Sequence, residues 1–227
     1  MLNMFKPGVA RSLQDNKKLG AVFCWIGGYV NGVGITLVGI TIANMSVNLA
    51  QLGKGMGLLQ FEEILIIIPL MLSFIFGSTV GGYFYKRYSY QPVLVSEAFL
   101  LMFMGDVDIK IMIFLGALAM GLHNAFTTSI SNGDIRSSHI TNSVTDIGIS
   151  LARKNMGDVW LKLITVGSYM TGAAMGVIGF QFWGKNAFTF AAITILGLLA
   201  ADALRKPCEE DYIGNIYRKL VCKVLDL

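Results

Sequence analysis

Apolar residues fall in long blocks separated by short polar breaks, and each block has the length of a helix. Six blocks stand out, at about 19–42, 57–85, 90–105, 109–131, 157–183 and 186–204. A helix needs roughly 20 apolar residues to cross about 30 Å of hydrocarbon, and somewhat fewer if it is short or kinked. The third block is short, whereas the second and fifth are long enough to tilt or overhang. The roughly ten-residue alternation of an outer-membrane barrel is absent. Helices, which satisfy their own backbone groups in lipid, are therefore the predicted spanning elements. The pattern predicts an all-α, polytopic membrane protein with six transmembrane helices.

Composition strengthens that expectation. Of 227 residues, 54% are hydrophobic and 14% charged, against about 25% charged in an ordinary soluble protein. With a mean hydropathy of +0.62, a soluble domain of this length lacks the polar residues to cover its core.

Charge placement predicts orientation. With the N-terminus in the cytoplasm, fifteen Lys and Arg residues fall on inside segments and three, Lys54, Lys110 and Lys185, fall outside. This positive-inside bias places both termini in the cytoplasm. The same loops account for the net charge of +4, so no nucleic-acid surface is needed to explain it. The first apolar block runs on too long for a signal peptide and lacks an A-x-A-like ending, so it reads as a retained first helix. Cys24, Cys208 and Cys222 have no metal-ligand spacing and read as free thiols.

The two halves of the chain resemble one another. In GYVNGVGITLVGITIANMSVN (28–48) and GLHNAFTTSISNGDIRSSHITNSV (121–144), Gly28 falls on Gly121 and Asn31 on Asn124. With one extra residue, Asn48 falls on Asn142. Downstream, Gly77 and Gly81 match Gly172 and Gly176. The spacing predicts a cytoplasmic segment at 1–18, three-helix repeats at 19–105 and 109–204, and a cytoplasmic tail at 205–227. Three helices per repeat make the second unit enter from the opposite side, an inverted repeat. In transporters of that plan the functional site lies near the midplane, where the repeats meet.

Asn31 and Asn124 each lie about midway through an apolar block. An amide there can join helices or contact a polar solute. Gly27, Gly28, Gly32 and Gly34 clear side chains from around Asn31 and permit close approach or local unwinding. Second polar patches follow, with Asn44, Ser46 and Asn48 in one unit and Ser138, His139, Thr141 and Asn142 in the other. The candidate substrate-binding set is Asn31, Asn48, Glu97, His123, Asn124, Thr141 and Asn142. The plainer alternative is interhelical hydrogen bonding, worth about 0.6 kcal/mol on average. Gly77/Gly81 and Gly172/Gly176 are small-xxx-small pairs and read as helix-packing positions.

GYVNG (28–32) with MSVN (45–48), and GLHNA (121–125) with HITN (139–142), resemble the YoaK-like family of six-helix bacterial membrane proteins of unknown function. The resemblance spans about 20–204 and implies the six-helix fold in the cytoplasmic (inner) membrane of a bacterium. That family has an acidic residue where Asn31 stands, Gln where His123 stands, and a Met-Thr-Gly-Asn run where Met45–Asn48 reads MSVN. A proton-carrying role at position 31 therefore does not carry over to an amide.

Glu97 is an acid within the third block, a functional candidate by default or a protonated packing residue. His123 titrates near neutral pH in water or serves as a hydrogen-bonded helix residue. His123 and His139, sixteen residues apart, make a weak metal pair. Serine-hydrolase, zinc-protease, phosphate-loop and Cys-x-x-Cys signatures are absent. The expectation is a non-enzyme without cofactor or metal. The tail EEDYIGNIYRKLVCKVL carries apolar residues at helical spacing and reads as an amphipathic helix on the inner leaflet or on a partner. The partners compatible with the sequence are lipid, a small polar solute and a second copy of the chain. The leading functional expectation is a small transporter or permease, and the alternative is a membrane scaffold or accessory subunit.

Overall fold

A computed structural model describes residue 5, residues 11–138 and residues 140–204. The expected tail helix and His139 lie outside the described residues. Those described form eight α-helices and no strand: α1 (Leu13–Val38), α2 (Met45–Gly57), α3 (Phe61–Tyr88), α4 (Tyr90–Phe103), α5 (Ile109–Ile130), α6 (Ile140–Ala152), α7 (Met156–Trp183) and α8 (Ala187–Ala203). A 3-10 turn, Gly184–Asn186, joins the last two.

Four helical stretches are long and apolar enough to cross a membrane: Leu13–Val38, Phe61–Tyr88, Ile109–Ile130 and the joined Met156–Ala203, with Tyr90–Phe103 a shorter apolar helix. This marks an integral membrane protein. Six helices therefore fall close to the six expected blocks, and α2 and α6 are additional. Their mixed sequences had read as polar patches and connections. Each is amphipathic enough to lie along a long helix, α2 on α3 and α6 on α7.

The first helix departs most from expectation at both ends. It begins before residue 19 because Ser12 and Asp15 form a capping box, each side chain bonded to the other's backbone N–H. It stops before residue 42 because Gly39 adopts a left-handed conformation, φ 69°, and returns its N–H to the Ile35 carbonyl.

Helix packing is dominated by α1 against α7 and α3 against α5, with α4 bridging to α5 and α8. Glycines bring these pairs into backbone contact. A Cβ on Gly28 or Gly32 would run into the carbonyl of Tyr169 or Ala173 on α7, and one on Gly172 or Gly176 into that of Trp25 or Tyr29 on α1. In the other pair, a Cβ on Gly77 meets the Leu118 carbonyl and one on Gly121 meets that of Phe74, while Gly81 lies against Leu122 and Ala125. Such close approach lets dispersion hold helices together in a solvent as apolar as they are. Outward faces carry Leu65, Leu72, Ile75 and Phe76 on α3, and Met170 and Phe182 on α7, all exposed.

Candidate functional site

The chain doubles back after α1 and again after α5, and a buried asparagine receives each return. Asn31 is 4% exposed and Asn124 6%. Past Gly39 the backbone runs back along α1 until the N–H groups of Ile42 and Ala43 donate to Asn31 Oδ1, at 3.1 and 3.2 Å. Asn31 Nδ2 donates across to the Tyr169 hydroxyl of α7 at 2.8 Å. Gly34 makes the return sterically feasible, since a Cβ there would collide with the Ile42 side chain.

After α5 the arrangement recurs with other residues. Asn124 Oδ1 accepts from the Ser137 hydroxyl at 3.0 Å and the Ser138 N–H at 3.2 Å, and Asn124 Nδ2 donates to the Ser138 hydroxyl. Ser131 closes the turn, accepting from the Ile135 N–H at 3.0 Å and donating to the Thr127 carbonyl at 2.6 Å. Without these side chains the returning N–H groups would be buried unpaired, at a cost of about 1–3 kcal/mol each.

Neither helix unwinds at its asparagine. The irregular backbone that glycines around Asn31 suggested begins a turn or more later, after Val38 and after Ile130. The described hydrogen bonds of Asn31 and Asn124 run to separate partners and not to each other.

The remaining candidates divide between interior and surface. Asn48 is fully buried and grips the first return, accepting from Thr41 Oγ1 at 2.8 Å and donating to the Thr41 carbonyl at 2.9 Å. Its neighbour Asn44 caps α2. Thr141 and Asn142, at the start of α6, are exposed. Asn142 lines a polar cleft of about 300 Å³ with Asp134, Arg136, Asp146 and Lys162. In that cleft Lys162 donates to the Asp134 carbonyl at 2.9 Å and pairs with Asp146 at 3.2 Å.

Glu97 and His123, both 0% exposed, meet each other: Glu97 Oε1 lies 2.7 Å from His123 Nδ1. The opposite ring nitrogen, Nε2, lies 2.9 Å from the Phe23 carbonyl. This contact links α4, α5 and α1. Glu97 Oε2 has no hydrogen-bond partner. No group of three or more His, Cys, Asp or Glu residues comes together as a metal site among the described residues. Sequence reasoning missed Tyr169 and the Glu97–His123 pairing. Nothing local to Tyr169 in the sequence signals a partner on another helix.

The sequence of a family described as a protein of unknown function (DUF1275) matches residues 19–201. The chain belongs to that family. No curated protein and no solved structure matches it. The family match covers both returning segments and every candidate site residue, which places them all within the family's shared region.

Proposed function

We propose that this member of the family is a small transporter or permease of the bacterial inner membrane, built as two inverted three-helix repeats with both termini cytoplasmic. The observation that carries this reading is the pair of returning segments, each bound by a buried asparagine at the matching position of its half. Irregular backbone inside a membrane bundle is tolerated where protein buries it or where it lines a cavity, and broken elements in matching positions of two halves are typical of transport folds.

The glycine contacts support the repeat. Trp25 and Gly28 on α1 correspond to Leu118 and Gly121 on α5 at an offset of 93, while Phe74 and Gly77 on α3 correspond to Tyr169 and Gly172 on α7 at 95. The contacts of Gly28 with Tyr169 and of Gly172 with Trp25 have Gly121 with Phe74 and Gly77 with Leu118 as counterparts. In this reading each repeat lends its first helix to the other: α1 seats on α7 and α5 on α3. A polar solute would move along the seam between these pairs, with the returning segments as its inner walls and the cleft at Lys162 as a polar mouth.

A second reading, a non-transporting scaffold, is favoured by one observation. Each asparagine oxygen already accepts two hydrogen bonds, so neither oxygen has capacity left for a solute in this conformation.

A flux screen on protein reconstituted in vesicles decides between them. Passage of a polar solute above that of empty vesicles, with cysteines introduced at Ala43 and Ser138 reacting with a membrane-impermeant maleimide, is expected. Absence of flux across a broad solute panel, combined with unreactive cysteines at both positions in folded protein, would leave the scaffold.

A further inference from the structure

We infer that Glu97 and His123 form a buried proton-exchange site that holds one shared proton between the two halves of the molecule. Hydrogen-bond chemistry sets the count. The Phe23 carbonyl can only accept, so His123 Nε2, 2.9 Å away, carries a hydrogen. At the other nitrogen, a 2.7 Å contact joins Nδ1 to Glu97 Oε1. Two lone pairs facing each other at that distance would repel, so one proton lies between them. It sits either on Nδ1, giving imidazolium and carboxylate, or on Oε1, giving neutral imidazole and carboxylic acid. Both forms have zero net charge, and the proton passes from one to the other along a hydrogen bond already in place.

Burial of both side chains favours the neutral pair over a charged one. Glu97 is the ionisable side chain in contact with the His123 ring. Several ionisable groups of the neighbouring helices are buried or hold partners of their own. Cys24, beside Phe23 on α1, is a buried thiol. On α7, Tyr169 is held by Asn31, and Lys162 by the Asp134 carbonyl and Asp146. On α8, Asp202 accepts from Tyr90. The ionisable residues of α3, namely Glu62, Glu63, Tyr83, Tyr85, Lys86, Arg87 and Tyr88, lie in its first turn and its last six residues. The Phe23 ring centroid lies 5.7 Å from that of His123, and Phe23 packs in turn on Phe126.

Glu97 Oε2 is the independent sign that the site exchanges. It is buried without a partner, whereas a purely structural acid is expected to use both oxygens. A proton, delivered by water reaching the pair, attaches at Oε2 while the imidazolium keeps its bond to Oε1, and the pair then carries +1. Loss of the shared proton to water leaves a carboxylate facing a lone pair on Nδ1, charge −1, and removes this hydrogen bond between α4 and α5. Proton exchange is thereby coupled to the contact between halves, because Phe23 and Glu97 belong to the first and His123 to the second. At the matching positions the repeat places Val30 and Ala192, both fully buried, so the site exists once. In the transport reading it is the point at which a proton gradient would act, and to that extent it rests on that reading. The proton count itself does not.

The chain has two histidines, so a His139→Gln background leaves His123 as the sole imidazole signal. Nitrogen-15 NMR of histidine-labelled protein in nanodiscs, titrated across neutral pH, reads the site directly. The expected result is an Nε2 that stays protonated throughout and an Nδ1 signal that shifts with pH together with the carboxyl stretch of Glu97 in infrared difference spectra. Glu97→Gln should abolish that infrared change and uncouple the Nδ1 response. An Nε2 without hydrogen, or an Nδ1 and carboxyl both unresponsive to pH in the folded parent, would overturn the proposal, and neither needs the Glu97→Gln protein to fold. If the titration behaves as expected while vesicles show no flux, the proton site stands and the transporter reading falls.

Discussion

The Asn31 amide reaches 2.8 Å across to the Tyr169 hydroxyl, tying α1 to α7 at the residue whose carbonyl already presses on Gly28. One side chain thus serves two ends, since its oxygen holds the returning backbone at Ile42 and Ala43. The backbone half of that arrangement should dominate its energetics.

Asn31→Leu is expected to lower stability by about 1–3 kcal/mol for each buried N–H left unpaired. Tyr169→Phe, which removes one interhelical bond, should cost about 0.6 kcal/mol. Denaturant unfolding in mixed micelles measures both. A Leu variant as stable as the parent would mean that the return does not depend on this residue.

Asn124→Leu should act on the second return in the same way, and its consequences should be local. Protease access at Ser137 and Ser138, or maleimide labelling of a cysteine introduced at either, should rise while labelling of a cysteine introduced at Ala43 stays unchanged, because the two asparagines bond separate partners. Equal loosening of both segments would show that they are coupled by something other than these bonds.

Glycine positions offer a sharper contrast. Gly172→Ala places a methyl against the Trp25 carbonyl, a backbone contact that cannot rotate away, and should cost about 1–3 kcal/mol or more through overpacking. Gly197→Ala on α8 meets nothing within 4 Å and should gain about 0.5–1 kcal/mol from helix propensity. Thermal stability of the two purified variants in one detergent tests the pair. Similar melting temperatures would remove close α1–α7 packing from the account.

The fifteen-to-three distribution of basic residues predicts opposite sides for the chain end at Leu227 and the connection at 104–108. Paired reporter fusions there should respond as cytoplasmic and external respectively. An external C-terminus would remove both the orientation and the inverted repeat.

The apolar helices were legible because hydrocarbon demands apolar residues at nearly every position, so composition alone outlines them. Five of the six expected blocks end within about four residues of an observed helix boundary. The first block differed because helix ends obey local chemistry: the Ser12–Asp15 box and the left-handed Gly39 override hydropathy. Amphipathic α2 and α6 carry too many polar residues to stand out by hydropathy. Within the site, Asn31 and Asn124 were visible through their recurrence in the two halves. The meeting of Glu97 with His123 was not, since they lie 26 residues apart on different helices, and no periodicity in either helix encodes the other's position.

Pairing α1 with α7 also sets a schedule for synthesis. At about 5–20 residues per second, the stretch from Val38 to Met156 takes roughly 6–24 s to emerge, and until then the glycine face of α1 and the Asn31 amide have no α7 to receive them. The newborn helix must wait in lipid or beside the insertion machinery with its most adhesive surface uncovered. Chains that stall or are cut before residue 156 should therefore be recognised and degraded as orphans, even though every helix they contain is fully formed.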